Sequence, residues 1–94
     1  MSVFRLTEFT SPDMNKLVEF AETLRDDVAA AGAEFIDVIA VGDGKGIVIA
    51  KYATHAKMEA ATAINKAAFG KMIAAGLVNA DSISGQSGEV TFSF

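Results

Sequence analysis

Between Glu34 and Ala53 the chain carries two runs rich in β-branched and aromatic residues, EFIDVIAV (Glu34–Val41) and IVIAKYA (Ile47–Ala53). Glycines at 42, 44 and 46 separate them. Side chains alternate across a strand, so Ile47 and Ile49 share one face while Val48, Ala50 and Tyr52 share the other. In the preceding run Phe35, Ile39 and Val41 oppose Ile36, Val38 and Ala40 in the same way. An antiparallel sheet with one face in water shows polar residues on that face. Neither run does. A fold built on this pair must therefore cover its sheet twice, once with its own helices and once with something else.

The glycine segment itself admits three readings. A phosphate loop follows a strand and opens a helix, so that free amides and the helix dipole converge on the anion. Here a second strand follows, and neither the Walker pattern nor the dinucleotide fingerprint is present. Lys45 to Tyr52 (KGIVIAKY) also sits where RNA-recognition motifs carry their aromatic strand. Those domains stack bases on aromatic rings, whereas Ile47 and Ile49 hold the stacking positions here. The third reading stands: glycine supplies the positive φ angles of a hairpin.

The rest of the sequence completes one pattern. Val3–Phe9 reads as a strand and is followed by Ser11, Pro12 and Asp13, a helix start with Ser11 as cap. A single helix is expected from Pro12 to about Ala31, with Met14, Leu17, Val18, Ala21, Leu24 and Val28 as its apolar stripe and Gly32 as its stop. Thr54 caps a second helix, His55 to about Ala75, ending at Gly76. An irregular stretch leads to a last strand, Glu89–Phe94, where Val90, Phe92 and Phe94 alternate with polar residues. The order β-α-β-β-α-β is that of an α+β, ferredoxin-like antiparallel sheet, in one domain spanning residues 1–94.

Because two helices cover only one sheet face, the expected cover for the other is a second copy of the chain in a two-fold dimer. Composition narrows the remaining partners. A formal net charge of −4 disfavours nucleic acid and anionic membrane surfaces. With no cysteine and one histidine, a thiolate nucleophile, a disulfide and a cysteine- or all-histidine-ligated metal fall away. MSVFRLTEF lacks the features of a signal peptide and no apolar run is long enough to span a bilayer, so a cytoplasmic protein is expected.

On the second helix Met58, Ala61, Ala68, Phe69, Met72 and Ile73 gather on one face, and Asn65 falls in the middle of it. A buried amide without partners costs about 1–3 kcal/mol, so Asn65 is expected to bond a backbone group, a water or a ligand. Thr62 and His55 lie along the margin of that face, His55 about 15 Å from Asn65 along the axis. Tyr52 has a hydroxyl able to reach a pocket. Arg25 reads as a snorkelling side chain, and Arg5 joins a sheet face that alternation does not identify. The alanine-rich second helix either packs closely on the sheet or leaves a cavity, for which Met14, Met58, Met72 and Phe69 would form an adaptable lining.

From VFRLTEFTSPDM through GIVIAKYATHAKM to GEVTFSF, the layout resembles the dimeric α/β-barrel superfamily, which includes the antibiotic-biosynthesis-type monooxygenases. The resemblance implies a two-fold dimer with facing sheets and, in each protomer, a pocket between sheet and helices. Superfamily members that oxidise substrates without a cofactor, and those that degrade haem, often use a pocket tryptophan, which this chain lacks. A haem would need His55 as axial ligand, and its place in the first helical turn suits that poorly. The expectation is thus a cofactor-free homodimer binding a small apolar or amphipathic molecule through Asn65, His55, Tyr52, Thr62, Phe69, Met72 and Met58. The alternative is a cofactor-independent monooxygenase or isomerase acting on an aromatic or polyketide-like substrate, with His55 as base. A structural association domain without a guest is the third expectation, and in it Asn65→Leu would be neutral or stabilising.

Overall fold

The structure, a computed structural model, describes residues 1–94. The elements are β1 (Val3–Thr10), α1 (Met14–Thr23), α2 (Arg25–Ala29), β2 (Phe35–Gly42), β3 (Lys45–Tyr52), α3 (His55–Ala74) and β4 (Ser84–Glu89), with a 3-10 turn at Ala80–Ser82 before β4. The four strands form one antiparallel sheet in the order β2-β3-β1-β4. This is the ferredoxin-like α+β fold. The glycine segment is its hairpin turn: Gly42, Asp43 and Gly44 all have positive φ, at 101°, 55° and 74°. The Gly44 carbonyl also accepts from the Ser11 amide at 2.8 Å, tying the turn to the end of β1.

Three expectations need correction. The first helix is broken at Leu24. Its amide turns to the Ala21 carbonyl at 3.0 Å, while the Phe20 carbonyl, the regular helical acceptor for Leu24, takes the Thr23 hydroxyl at 2.6 Å. A threonine side chain competing for a backbone carbonyl in this way disturbs a helix. The cap is Asp13 rather than Ser11: Asp13 Oδ1 accepts from the Lys16 amide at 3.1 Å, and Ser11 Oγ supports the turn by accepting from the Asp13 amide. The last strand lies earlier, at Ser84–Glu89, and Val90 to Phe94 stand outside the sheet. Ladder partners decide this point. β1 pairs with β4 from Glu8↔Ser84 to Val3↔Glu89, and beyond Val3 a single bond from the Val90 amide to the Ser2 carbonyl extends the contact. Phe92 and Phe94 are left in solvent, 71% and 116% exposed.

The register settles the two sheet faces. Residues directly opposite one another across a ladder point the same way. Val3, Arg5, Thr7 and Phe9 of β1 thus share a face with Tyr52, Ala50, Val48 and Gly46 of β3 and with Ile36, Val38 and Ala40 of β2. Helices cover this face: Val3, Ala50 and Tyr52 pack with Met58, Ala61 and Ala31, and Phe9 packs with Leu17 and Val78 in a second cluster. The opposite face carries Phe4, Leu6, Ile47, Ile49, Phe35 and Ile39, with no element of the chain across it. On it the Phe4 and Phe35 rings meet edge to face at 6.0 Å. Only 13 of 94 residues are buried although 51% of the chain is hydrophobic, so much apolar surface stays uncovered in one protomer. No helix is long and apolar enough to cross a membrane.

Candidate functional site

Alanine-rich α3 does two things along its length. Near its start it lies close on the sheet, with Ala61 wholly buried and Met58 nearly so above Val3, Ala50 and Tyr52. Farther along, beside Asn65, Ala68, Phe69 and Met72, a cavity of about 720 Å³ opens. α1 and α2 form its second wall, β1 and β3 its floor, and β2 its outer rim. Val38 points to the helix-covered side of β2 yet stays 46% exposed, because α1 and α2 stand off this edge strand. Val18 on α1, 55% exposed, borders the same opening. The volume falls in the range of small-molecule pockets, about 300–1,000 Å³, and 18 of the 24 lining residues are hydrophobic.

Few polar groups face this apolar space. Asn65 is half-buried, and its Nδ2 donates to the Tyr52 hydroxyl at 2.7 Å. Tyr52 is entirely buried, at 0% exposure. One amide hydrogen and the Oδ1 of Asn65 have no partner within the protein. Arg5 reaches in from β1, and its Nη1 donates to Thr62 Oγ1 at 3.2 Å. Thr62 in turn donates to the Met58 carbonyl at 3.4 Å. At the rim Arg25 is neutralised: its Nε and Nη2 donate to the two Glu22 carboxylate oxygens at 2.9 and 2.6 Å. This pair holds the Glu22 carboxyl below its ordinary value, first through the hydrogen bond and then through the guanidinium charge. No three His, Asp or Glu side chains come together to hold a metal ion.

The residues singled out from sequence are divided by the structure. Asn65, Phe69 and Met72 line the cavity together. Tyr52 lies beneath Asn65 and holds it, the amide's partner within the protein being this side chain rather than a backbone group. Met58 is sealed in the core. Thr62 stands behind Arg5, facing a smaller recess. His55 is apart from all of them, exposed at the start of α3 with Nε2 3.3 Å from Glu59 Oε1. Two contributions went unread. The Arg25 guanidinium is paired with Glu22 at the rim of the apolar cavity, and Arg5 belongs to the helix-covered face. Alternation in β1 could not place Arg5, because each face of that strand carries one charge: Arg5 beside Val3, Thr7 and Phe9, Glu8 beside Phe4 and Leu6.

Neither a known protein family nor a curated protein matches the chain by sequence. Solved structures do match its fold. A dimeric ferredoxin-like protein from an uncultured marine organism superposes with a TM-score of 0.73 at 13% identity, covering 99% of this chain and 98% of that one. NE2512 of Nitrosomonas europaea, a protein of unknown function, gives 0.72 at 16% identity over 100% and 94% of the two chains. SnoaB from Streptomyces nogalater, a cofactor-independent oxygenase in an asparagine-to-alanine variant, gives 0.67 at 14% identity over 98% and 95%. The chain shares the ferredoxin-like architecture of dimeric proteins, of a cofactor-independent oxygenase and of a protein from Nitrosomonas europaea described as an antibiotic biosynthesis monooxygenase.

Proposed function

We propose that the protein is a homodimer that binds a small, elongated, largely apolar molecule bearing a polar group. The observation that carries this reading is the cavity of about 720 Å³ between sheet and helices, mostly apolar, with Arg5, Thr7, Asn65, Asp37 and the Glu22–Arg25 pair as its polar lining. Phe69 and Met72 are contact surface for the body of the guest, and Asn65 offers it one N–H and one carbonyl oxygen. Tyr52 and Thr62 act through the side chains they hold. The dimer follows from the uncovered face bearing Phe4, Leu6, Ile47 and Ile49, and neighbours of the same fold are described as dimeric. A native mass spectrum, compared with the denatured mass, tests both parts. A dimer with extra non-covalent mass, recovered from fresh protein or after incubation with hydrophobic acids and alcohols, is the expected result. A monomer at micromolar concentration would overturn the dimer, and a dimer that takes up no guest would overturn the pocket.

The likeness to SnoaB, a cofactor-independent oxygenase, favours as second reading an oxygenase of the same kind. Its chemistry would take place beside Asn65, since His55 lies in solvent outside the cavity. Oxygen uptake with an aromatic substrate, unchanged in His55→Ala and lost in Asn65→Ala, is the result that would favour the enzyme over the binder.

A further inference from the structure

Arg5 is the one cation in the cavity without a carboxylate. Arg25 is taken by Glu22, whereas Arg5 forms no salt bridge and a single hydrogen bond, to Thr62. The acids nearest in the fold are turned elsewhere or unengaged. Glu8 is on the opposite sheet face, Asp37 borders the same cavity on β2 but makes no ion pair with Arg5, and Glu89 stands opposite Val3 without reaching Arg5. A guanidinium has several donors arranged in a planar fork, and when half-buried with most of them unused it is suited to a planar oxyanion.

The surroundings give that oxyanion a place. Arg5 and Thr7 border both the large apolar cavity and a second recess of about 340 Å³ on the β4 side. The second recess is polar where the first is apolar, with Thr62, Gln86 and Ser87 among its lining residues and Ile83 as its one hydrophobic member. Arg5 thus stands at the junction of an apolar space and a polar one.

We propose that the guest is an amphipathic acid, with its apolar body in the large cavity and its anionic oxygens on the Arg5 guanidinium at the mouth of the polar recess. This inference rests on the reading of the cavity as a binding site and adds the chemical class of the ligand. Carboxylate and phosphoryl head groups share the required chemistry, and Thr62 acts as a positioning residue that holds the fork.

Calorimetric titration with decanoate, decyl phosphate and methyl decanoate, each below its micellar concentration, tests this. One or both acids are expected to bind at least tenfold more tightly than the neutral ester, a difference of about 1.4 kcal/mol. The tighter acid identifies the head group. In Arg5→Gln that preference is expected to vanish while the ester binds as before, and Arg5→Lys is expected to restore part of it. Circular dichroism melts confirm that the variants are folded. Equal binding of acids and ester to the wild type would overturn the acid class and leave the cavity reading intact. Absence of binding by all three probes would overturn both.

Discussion

Replacing Asn65 with leucine puts the strongest demand on the description of the site. On hydropathy alone, an amide on an apolar helical face exchanged for leucine should be neutral or stabilising wherever no guest is bound. The hydrogen bond from Asn65 to the Tyr52 hydroxyl reverses that expectation. Tyr52 is at 0% exposure, and Asn65 is the only partner its hydroxyl has. Leucine would leave that hydroxyl buried and unpaired, at a cost of about 1–3 kcal/mol. In a domain of this size each kcal/mol moves Tm by roughly 4–8 °C, so a fall of at least ~4 °C is expected. Tyr52→Phe should cost less, about 0.5–1.5 kcal/mol, because the Asn65 amide borders the cavity and can turn to water there. The double variant removes both partners and should lie within about 1 kcal/mol of the wild type, because exchanging both ends of a buried hydrogen bond for apolar groups is close to neutral. Equilibrium urea unfolding of the four proteins at one fixed concentration gives the coupling energy. Single-variant losses that simply add in the double variant, or an Asn65→Leu protein as stable as the wild type, would refute the dependence of Tyr52 on Asn65.

Three further outcomes are expected. Gly46→Ala places a methyl group into the Phe9 ring, which is buried and packed edge to face on Phe69 at 6.1 Å, so it should destabilise by about 1–3 kcal/mol and weaken guest binding together, read by urea melts and titration. Ile49→Lys puts a charge in the uncovered sheet face between Leu6 and Asp37, and light scattering coupled to size exclusion should show a monomer where the proposed dimer forms in the wild type, with the helical circular dichroism signal kept. The Glu22 carboxyl is depressed below its ordinary value of 4.5, so its pairing with Arg25 supports the fold above that pH and is lost as pH falls through the lower, folded value. NMR titration should find its midpoint below the ordinary carboxylate value, and added salt should raise it because the pair is fully exposed.

Alternation and glycine carried most of the fold. The doubly apolar runs around Gly42–Gly46 fixed the central hairpin, and Thr54, Gly32 and Gly76 marked helix ends that the structure shows, with the two glycines at φ of 75° and 74°. What local pattern missed depends on partners distant in sequence. Val90, Phe92 and Phe94 alternate better than Ser84 to Glu89 do, yet the latter form β4 because β1 offers its ladder from Glu8 back to Val3. The break at Leu24 arises from one hydroxyl, Thr23 to the Phe20 carbonyl, inside an otherwise regular apolar stripe. At the site the same division holds. Asn65 stood out because it is polar on an apolar face, whereas Arg5 could be placed only through its pairing with Ala50 and Ser87, which no reading of β1 by itself supplies.

The cavity and the bare sheet face have a common origin in how little of this chain covers itself. Its core is divided between a cluster around Tyr52 and Met58 and another around Phe9 and Leu17, and the cavity borders both through Ala50, Phe9 and Leu17. A guest seated there would join the two clusters across β3, and a second protomer would cover Ile47 and Ile49 on the reverse side of the same strand. Both would bind the folded chain and not the unfolded one, so each would add to stability by mass action. Because they meet on opposite faces of one strand, a guest that firms β3 from the helix side also firms the surface presented to the partner. Dimer dissociation measured with and without decanoate should therefore show the acid tightening the dimer, and an Arg5→Gln protein, which keeps the outer face intact, should dimerise normally and lose that response.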